Sequence, residues 1–203
     1  MARTLTVPDL SDDDLLDSFV AAFMAFDDML LVGDLGHGAA LAVEELHESG
    51  LRQWRPQRSP TRPAALDALY SQLPYGLPSL FEALLLRWRW ASVDLNVVEL
   101  LANPAGGDLS GFSSEVLKDR GLAEVLLPAG YVQFGRVGGG HYDPVCFDLA
   151  RGRSSDDARV VQIDHEEILC NRRLLVVREV QPSFRRLVEA VVASAAQSPG
   201  RAV

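Results

Sequence analysis

Gly130-Tyr131-Val132-Gln133-Phe134-Gly135, Tyr142-Asp143-Pro144-Val145-Cys146-Phe147-Asp148-Leu149 and Val160-Val161-Gln162-Ile163-Asp164-His165-Glu166-Glu167-Ile168 hold three short apolar runs. Each is closed by Gly, Asp-Pro or Asp-His-Glu-Glu, so the three read as consecutive strands of one antiparallel sheet. Upstream, Val93 to Leu101 reads as a first strand, alternating Val93, Leu95 and Val97, and Asn103-Pro104-Ala105-Gly106-Gly107 then turns the chain. Ser113 to Arg120 follows as a short helix stopped by Gly121. Further back, Pro63 opens a helix carrying Leu66, Leu69, Tyr70 and Leu73 on one side, and Pro78 starts another that ends near Trp90. Downstream, Leu174 to Val177 is a further strand, and Ser183 caps a terminal helix that turns Phe184, Leu187, Val188, Val191 and Val192 inward. The expected fold is α+β, a mostly antiparallel sheet flanked by helices.

The first third of the chain differs in composition. Residues 1–50 carry eight Asp and three Glu against one Arg, a net −10, within a whole-chain charge of −9. Ser11 precedes three aspartates and then Leu15, Leu16, Phe19, Val20 and Phe23, which is helical spacing with acids at the positive end of the helix dipole. A second helix from about Ala39 to Ser49, stopped by Gly50, would complete an N-terminal helical hairpin. Its aromatic face is too large to leave in water, so it packs on the body of the same chain, a partner-binding or dimerising helix being the alternative. Residues 51–63 hold four Arg and three Pro and read as a linker or wrapping arm. The expected organisation is an acidic hairpin extension at 1–50, a linker at 51–63, a main domain at 64–195 and a disordered tail at 196–203.

The three strand runs, with Leu77-Pro78 before the helix Leu80 to Trp90 and Pro182-Ser183-Phe184 before the last helix, resemble the SMI1/KNR4 family of the SUKH superfamily. The resemblance covers roughly residues 64–195 and rests on turn and core signatures. It implies a SUKH-like fold and a non-enzymatic protein-binding module. Many members are immunity proteins against toxins delivered between bacteria, so it also implies a toxin as partner. A regulatory or scaffold module with a non-toxin partner is the alternative within the same fold.

At this length a chain can bury about 70% of its unfolded surface, enough for a core without metal or disulfide. Cys146 and Cys170 lie in apolar contexts and read as buried free thiols. The run Phe19 to Phe26 lacks the basic flank of a signal peptide and the length of a membrane span, so a cytoplasmic protein with no membrane partner is expected.

Asp164-His165-Glu166-Glu167, with His141, Asp143 and Cys146 a strand away, has the groups for a metal site or a general base. No His or Cys pair stands at ligand spacing, and neighbours on a strand point to opposite faces, so Asp164 and His165 are not expected to share an ion unless a turn reorients them. The expectation is a turn in which Asp164 accepts backbone N–H groups while Glu166 and Glu167 stay solvated. A small metal-dependent hydrolase using Asp143, His165 and Glu166 is the weaker alternative. Gly135-Arg136-Val137-Gly138-Gly139-Gly140-His141 lacks the helix and Lys that a phosphate cradle needs, and reads as a hairpin loop. Cys146 with His165 fails as a nucleophilic pair because nothing cationic flanks the thiol. No catalytic residue, metal ligand or cofactor is therefore assigned.

Nucleic acid is disfavoured by an acidic chain whose one lysine is Lys118. The same charge suits a basic protein partner such as a toxin domain. The residues placed at the binding surface are Tyr142, Asp143, Asp164, His165 and Glu166, where loops stand on a rigid sheet. Arg151 with Arg153, and Arg172 with Arg173, read as solvated strand ends. No oligomeric state follows from these residues.

Overall fold

The computed structural model describes residues 10–26, 30–33, 41–43, 50–59, 61–104, 108–149 and 155–197. Helix α1 (Asp12–Phe26) begins where Ser11 Oγ accepts the Asp14 N–H at 3.2 Å, and it buries Leu15, Leu16, Phe19, Val20 and Phe23. Strands β1 (Leu31–Gly33) and β2 (Leu51–Gln53) pair antiparallel. The second expected helix does not begin at Leu41–Val43: Ala42 bridges Trp54, and the Val43 N–H donates to the Gln53 carbonyl. Residues 34–40 and 44–49, where the rest of that helix was expected, lie outside the described residues.

The stretch expected as a linker is built into the structure. Trp54 is buried, and β3 (Gln57–Arg58) pairs with β4 (Trp88–Arg89), the Arg58 guanidinium lying over the Trp88 ring at 5.2 Å. A large indole recovers more by burial than an arm would by staying free. Between these strands run α2 (Ala65–Tyr70) and α3 (Ser79–Arg87), the latter following Pro78 and burying Leu80, Phe81, Leu84 and Leu85.

The expected strand Val93 to Leu101 is instead a tight hairpin of β5 (Val93–Asp94) and β6 (Glu99–Leu100). Asn96 takes the left-handed conformation at φ 66°, which asparagine tolerates, and its N–H donates to Asp94 Oδ1. Helix α4 (Ser110–Leu117) is followed at once by α5 (Arg120–Leu126). Gly121 therefore lies inside a helix rather than ending one, because Asp119 caps α5 by accepting the Leu122 N–H.

The remaining elements are β7 (Tyr131–Arg136), β8 (Pro144–Asp148), β9 (Arg159–Ile163), α6 (His165–Asn171), β10 (Val176–Gln181) and α7 (Phe184–Gln197). Ser183 caps α7 as expected, and residues 198–203 lie outside the described residues. The main sheet runs β10-β9-β8-β7-β6-β5, every pair antiparallel, so the three runs quoted first are its centre.

Alternation along those strands separates two cores. Val132, Phe134, Val145, Phe147 and Val160 join the larger one, with α1, α3, α4 and α7. Tyr131, Cys146, Val161 and Ile163 join the smaller one, with Leu122 and Leu126 of α5 and Ile168 of α6. Phe134 stacks on Phe147 at 4.1 Å, and Phe81 and Phe184 meet them edge-on. Phe19 reaches Phe184 at 6.3 Å, so the buried cluster runs across the boundary expected at 51–63. Asp17 of α1 adds polar ties to Arg58, Arg87 and Trp88 Nε1. No described helix is long and apolar enough to cross a membrane.

Candidate functional site

At one end of the sheet, the loop entering β8 meets the turn leaving β9. Pro144 has no N–H to give and opens β8, while the carbonyl of Asp143 accepts the Val137 N–H at 3.0 Å and closes the β7–β8 loop. Within that loop Gly138 is required: a Cβ there would stand 2.3 Å from the Asn96 carbonyl oxygen. The Gly139 N–H donates to Asp94 Oδ2 at 2.7 Å, which spends on a carboxylate an amide that a phosphate cradle would need free. The glycine loop is thus a hairpin fastened to the β5–β6 turn.

The chain leaves β9 at Ile163, and Asp164 (φ −72°, ψ 116°) caps α6 by accepting the Glu167 N–H at 3.0 Å. The expected turn is the first turn of a helix. Asp164 accepts a backbone N–H as expected and Glu166 is exposed, whereas Glu167 is half-buried.

Asp143 is the hub of this corner. Its Oδ1 accepts the His165 backbone N–H at 3.1 Å and lies 2.7 Å from His165 Nδ1, while Oδ2 accepts Gln162 Nε2 at 2.6 Å. An ionised Asp143 requires the proton on Nδ1, so that in the neutral imidazole Nε2 is the acceptor. Gln162 Oε1 in turn accepts Arg178 Nε at 2.8 Å, and the Tyr142 ring lies 5.9 Å from the imidazole. The array Tyr142, His165, Asp143, Gln162, Arg178 crosses from the β8 entry to the edge strand. Burial pushes the Asp143 carboxyl up, but the hydrogen bonds from His165 and Gln162 outweigh it and hold the group below its ordinary value.

All five residues expected at the surface are brought together here. Tyr142 is 70% exposed and Glu166 exposed, while Asp143, Asp164 and His165 are half-buried. Gln162 and Arg178 were not singled out. Their signal is a polar residue inside Val-Val-Gln-Ile and another inside Val-Val-Arg-Glu-Val, each interrupting an apolar run.

The helix start supplies the turn that brings Asp164 and His165 to one side. Ligand atoms of Asp143, Asp164 and His165 lie within 4.8 Å of one another. The carboxylates, however, already accept N–H groups from His165, Gln162 and Glu167. Cys146 faces the smaller core on the other side of the sheet, and full burial pushes its thiol far above its ordinary pKa, so it cannot serve His165 as a nucleophile. Cys170, expected buried, is exposed, since of α6 only Ile168 turns inward. Arg172 ends α6 in the left-handed conformation and pairs with Glu124 at 2.9 Å, while Arg151 and Arg153 lie outside the described residues.

No protein-family model matches the chain, and comparison with curated proteins returns no significant match.

Proposed function

We propose that the chain is a non-enzymatic protein-binding module of the SMI1/KNR4 kind, and within that class an immunity protein that occupies the active surface of a bacterial toxin. The observation that carries this reading is how the corner spends its polar groups. Asp143, Asp164, His165 and Gln162 are bound to one another or to backbone, while Tyr142 and Glu166 are exposed beside them. His165 Nε2 is left open for proton exchange, but among the described residues no Ser, Thr or Cys is hydrogen-bonded to it as a nucleophile would be. A docking surface instead gains from polar groups already fixed around an exposed aromatic. The net charge of −9 would speed encounter with a basic partner, such as a nuclease domain. Two free cysteines accord with a reducing cytoplasm. A regulatory module with a non-toxin partner fits the same corner, and a neighbouring toxin-like reading frame would favour the immunity role.

A metal-dependent hydrolase draws support from one observation, the approach of Asp143, Asp164 and His165. Affinity capture from the native host, followed by mass spectrometry, separates the readings. The wild-type chain should retain a partner that a Tyr142→Ala/Glu166→Arg variant of equal melting temperature loses. Equal retention by both, or about one transition metal per chain that His165→Ala removes together with hydrolytic turnover, would overturn the proposal.

A further inference from the structure

The two edges of the main sheet are finished differently. At one edge β5 is two residues long, and its Asp94 is covered by the glycine loop through the Gly139 N–H. At the other, β10 is six residues long, and among the described residues β9 is its one paired strand. Its first four residues are exposed, and Leu175, Val176 and Val177 are 49%, 37% and 49% exposed in sequence. Two register shifts take Val177 and Val180 out of the ladder with β9. Val180 packs on the larger core, whereas Val177 meets solvent. The two bulges and the charges of Arg178 and Glu179 blunt this edge as sheets ordinarily do, yet among the described residues no further strand pairs with it and Val176 and Val177 stay exposed.

The charge beside this edge says what fits it. Arg178 donates Nε to the neutral amide of Gln162, which Asp143 holds in turn, and among the described residues no carboxylate pairs with it. One hydrogen bond thus orients an exposed guanidinium whose terminal nitrogens take no partner among the described residues. Arg173, 78% exposed, stands 3.9 Å from its nearest carboxylate partner, Glu167. A planar guanidinium presented in this way recognises a carboxylate through two parallel hydrogen bonds.

We infer that β10 accepts an extended segment of a partner protein as a seventh strand, its apolar side chains lying beside Val176 and Val177 and an acidic side chain reaching Arg178. Backbone hydrogen bonds supply the affinity and Arg178 the selection by charge. The edge is joined to the Tyr142 and Glu166 surface through Gln162 and Asp143, but the inference does not depend on what that surface contacts.

The test uses the full chain and two synthetic peptides of about eight residues, the length of a typical strand. One alternates valine with glutamate and the other valine with lysine. Amide chemical shifts and hydrogen exchange are followed by NMR. The glutamate peptide should bind at least about tenfold more tightly than the lysine peptide, and should slow exchange along Val176–Gln181. Arg178→Glu should reverse the preference, and Val177→Pro should weaken both peptides while the melting temperature holds. An unchanged preference in Arg178→Glu would overturn the inference, as would shifts confined to Tyr142 and His165. So would β10 amides protected without peptide by pairing with a second copy of the chain.

Discussion

Asp143 does more at this corner than its place before a proline suggests. One carboxylate joins the β8 entry to the α6 start through His165 and to β9 through Gln162. Because these bonds hold its pKa below the ordinary carboxylate value of about 3.9, the unfolded chain takes up a proton before the folded chain does. The stability Asp143 contributes is thus present above about pH 4 and lost as pH falls through the depressed value. Asp143→Asn should lower the melting temperature at neutral pH, and the gap between variant and wild type should narrow below about pH 4. A gap constant with pH would show that the charge of Asp143 is not what holds the corner. The nearness of Asp143 to His165 was legible from consecutive strands, whereas the bonds through Gln162 to Arg178 were not. Asp143, Gln162 and Arg178 stand far apart along the chain, and only the strand pairings of β8, β9 and β10 bring them together.

Among the elements, legibility followed the length of the pattern. Helices α1 and α7 and strands β7, β8 and β9 were readable because each repeats its period several times. Helix α6 was missed although Asp164 and Glu167 stand at cap and third helical position, a spacing that marks a helix start. Its buried apolar content reduces to Ile168, too little for a period to show. The β5–β6 hairpin was read as one strand because alternation does not register a reversal at Asn96. Helix α1 was recognised and expected to pack on the body of the chain, as it does, but the last helix was not foreseen as its seat. Phe19 is fully buried, 5.4 Å from Phe23 and 6.3 Å from Phe184 of the last helix. Phe19→Ala should therefore cost about 3–5 kcal/mol and lower the single unfolding transition of the whole chain in urea. If α1 were an appendage, the main transition would stay in place and only a minor N-terminal signal would move.

For the molecule as a whole, the mostly antiparallel sheet flanked by helices was legible from punctuation and apolar runs, since burial on both faces of β7, β8 and β9 dictates both, whereas its sixth strand was hidden in the β5–β6 hairpin. The acidic bias of the first fifty residues was legible as charge. Its apolar counterpart, the α1 face laid on α7, depends on long-range packing that no local pattern records. The action proposed for this chain is binding of a basic protein at the Tyr142 and Glu166 corner. Screening shortens the reach of the acidic field to about 8 Å at physiological ionic strength, so encounter with such a partner must slow as salt rises. The most direct measurement is the association rate of the partner recovered by affinity capture, followed by surface plasmon resonance across a salt series. It is made for wild type, Glu166→Arg and Tyr142→Ala. The predicted result is a rate that falls with salt and falls further in Glu166→Arg, with faster dissociation in Tyr142→Ala. Rates indifferent to salt and to both substitutions would contradict it.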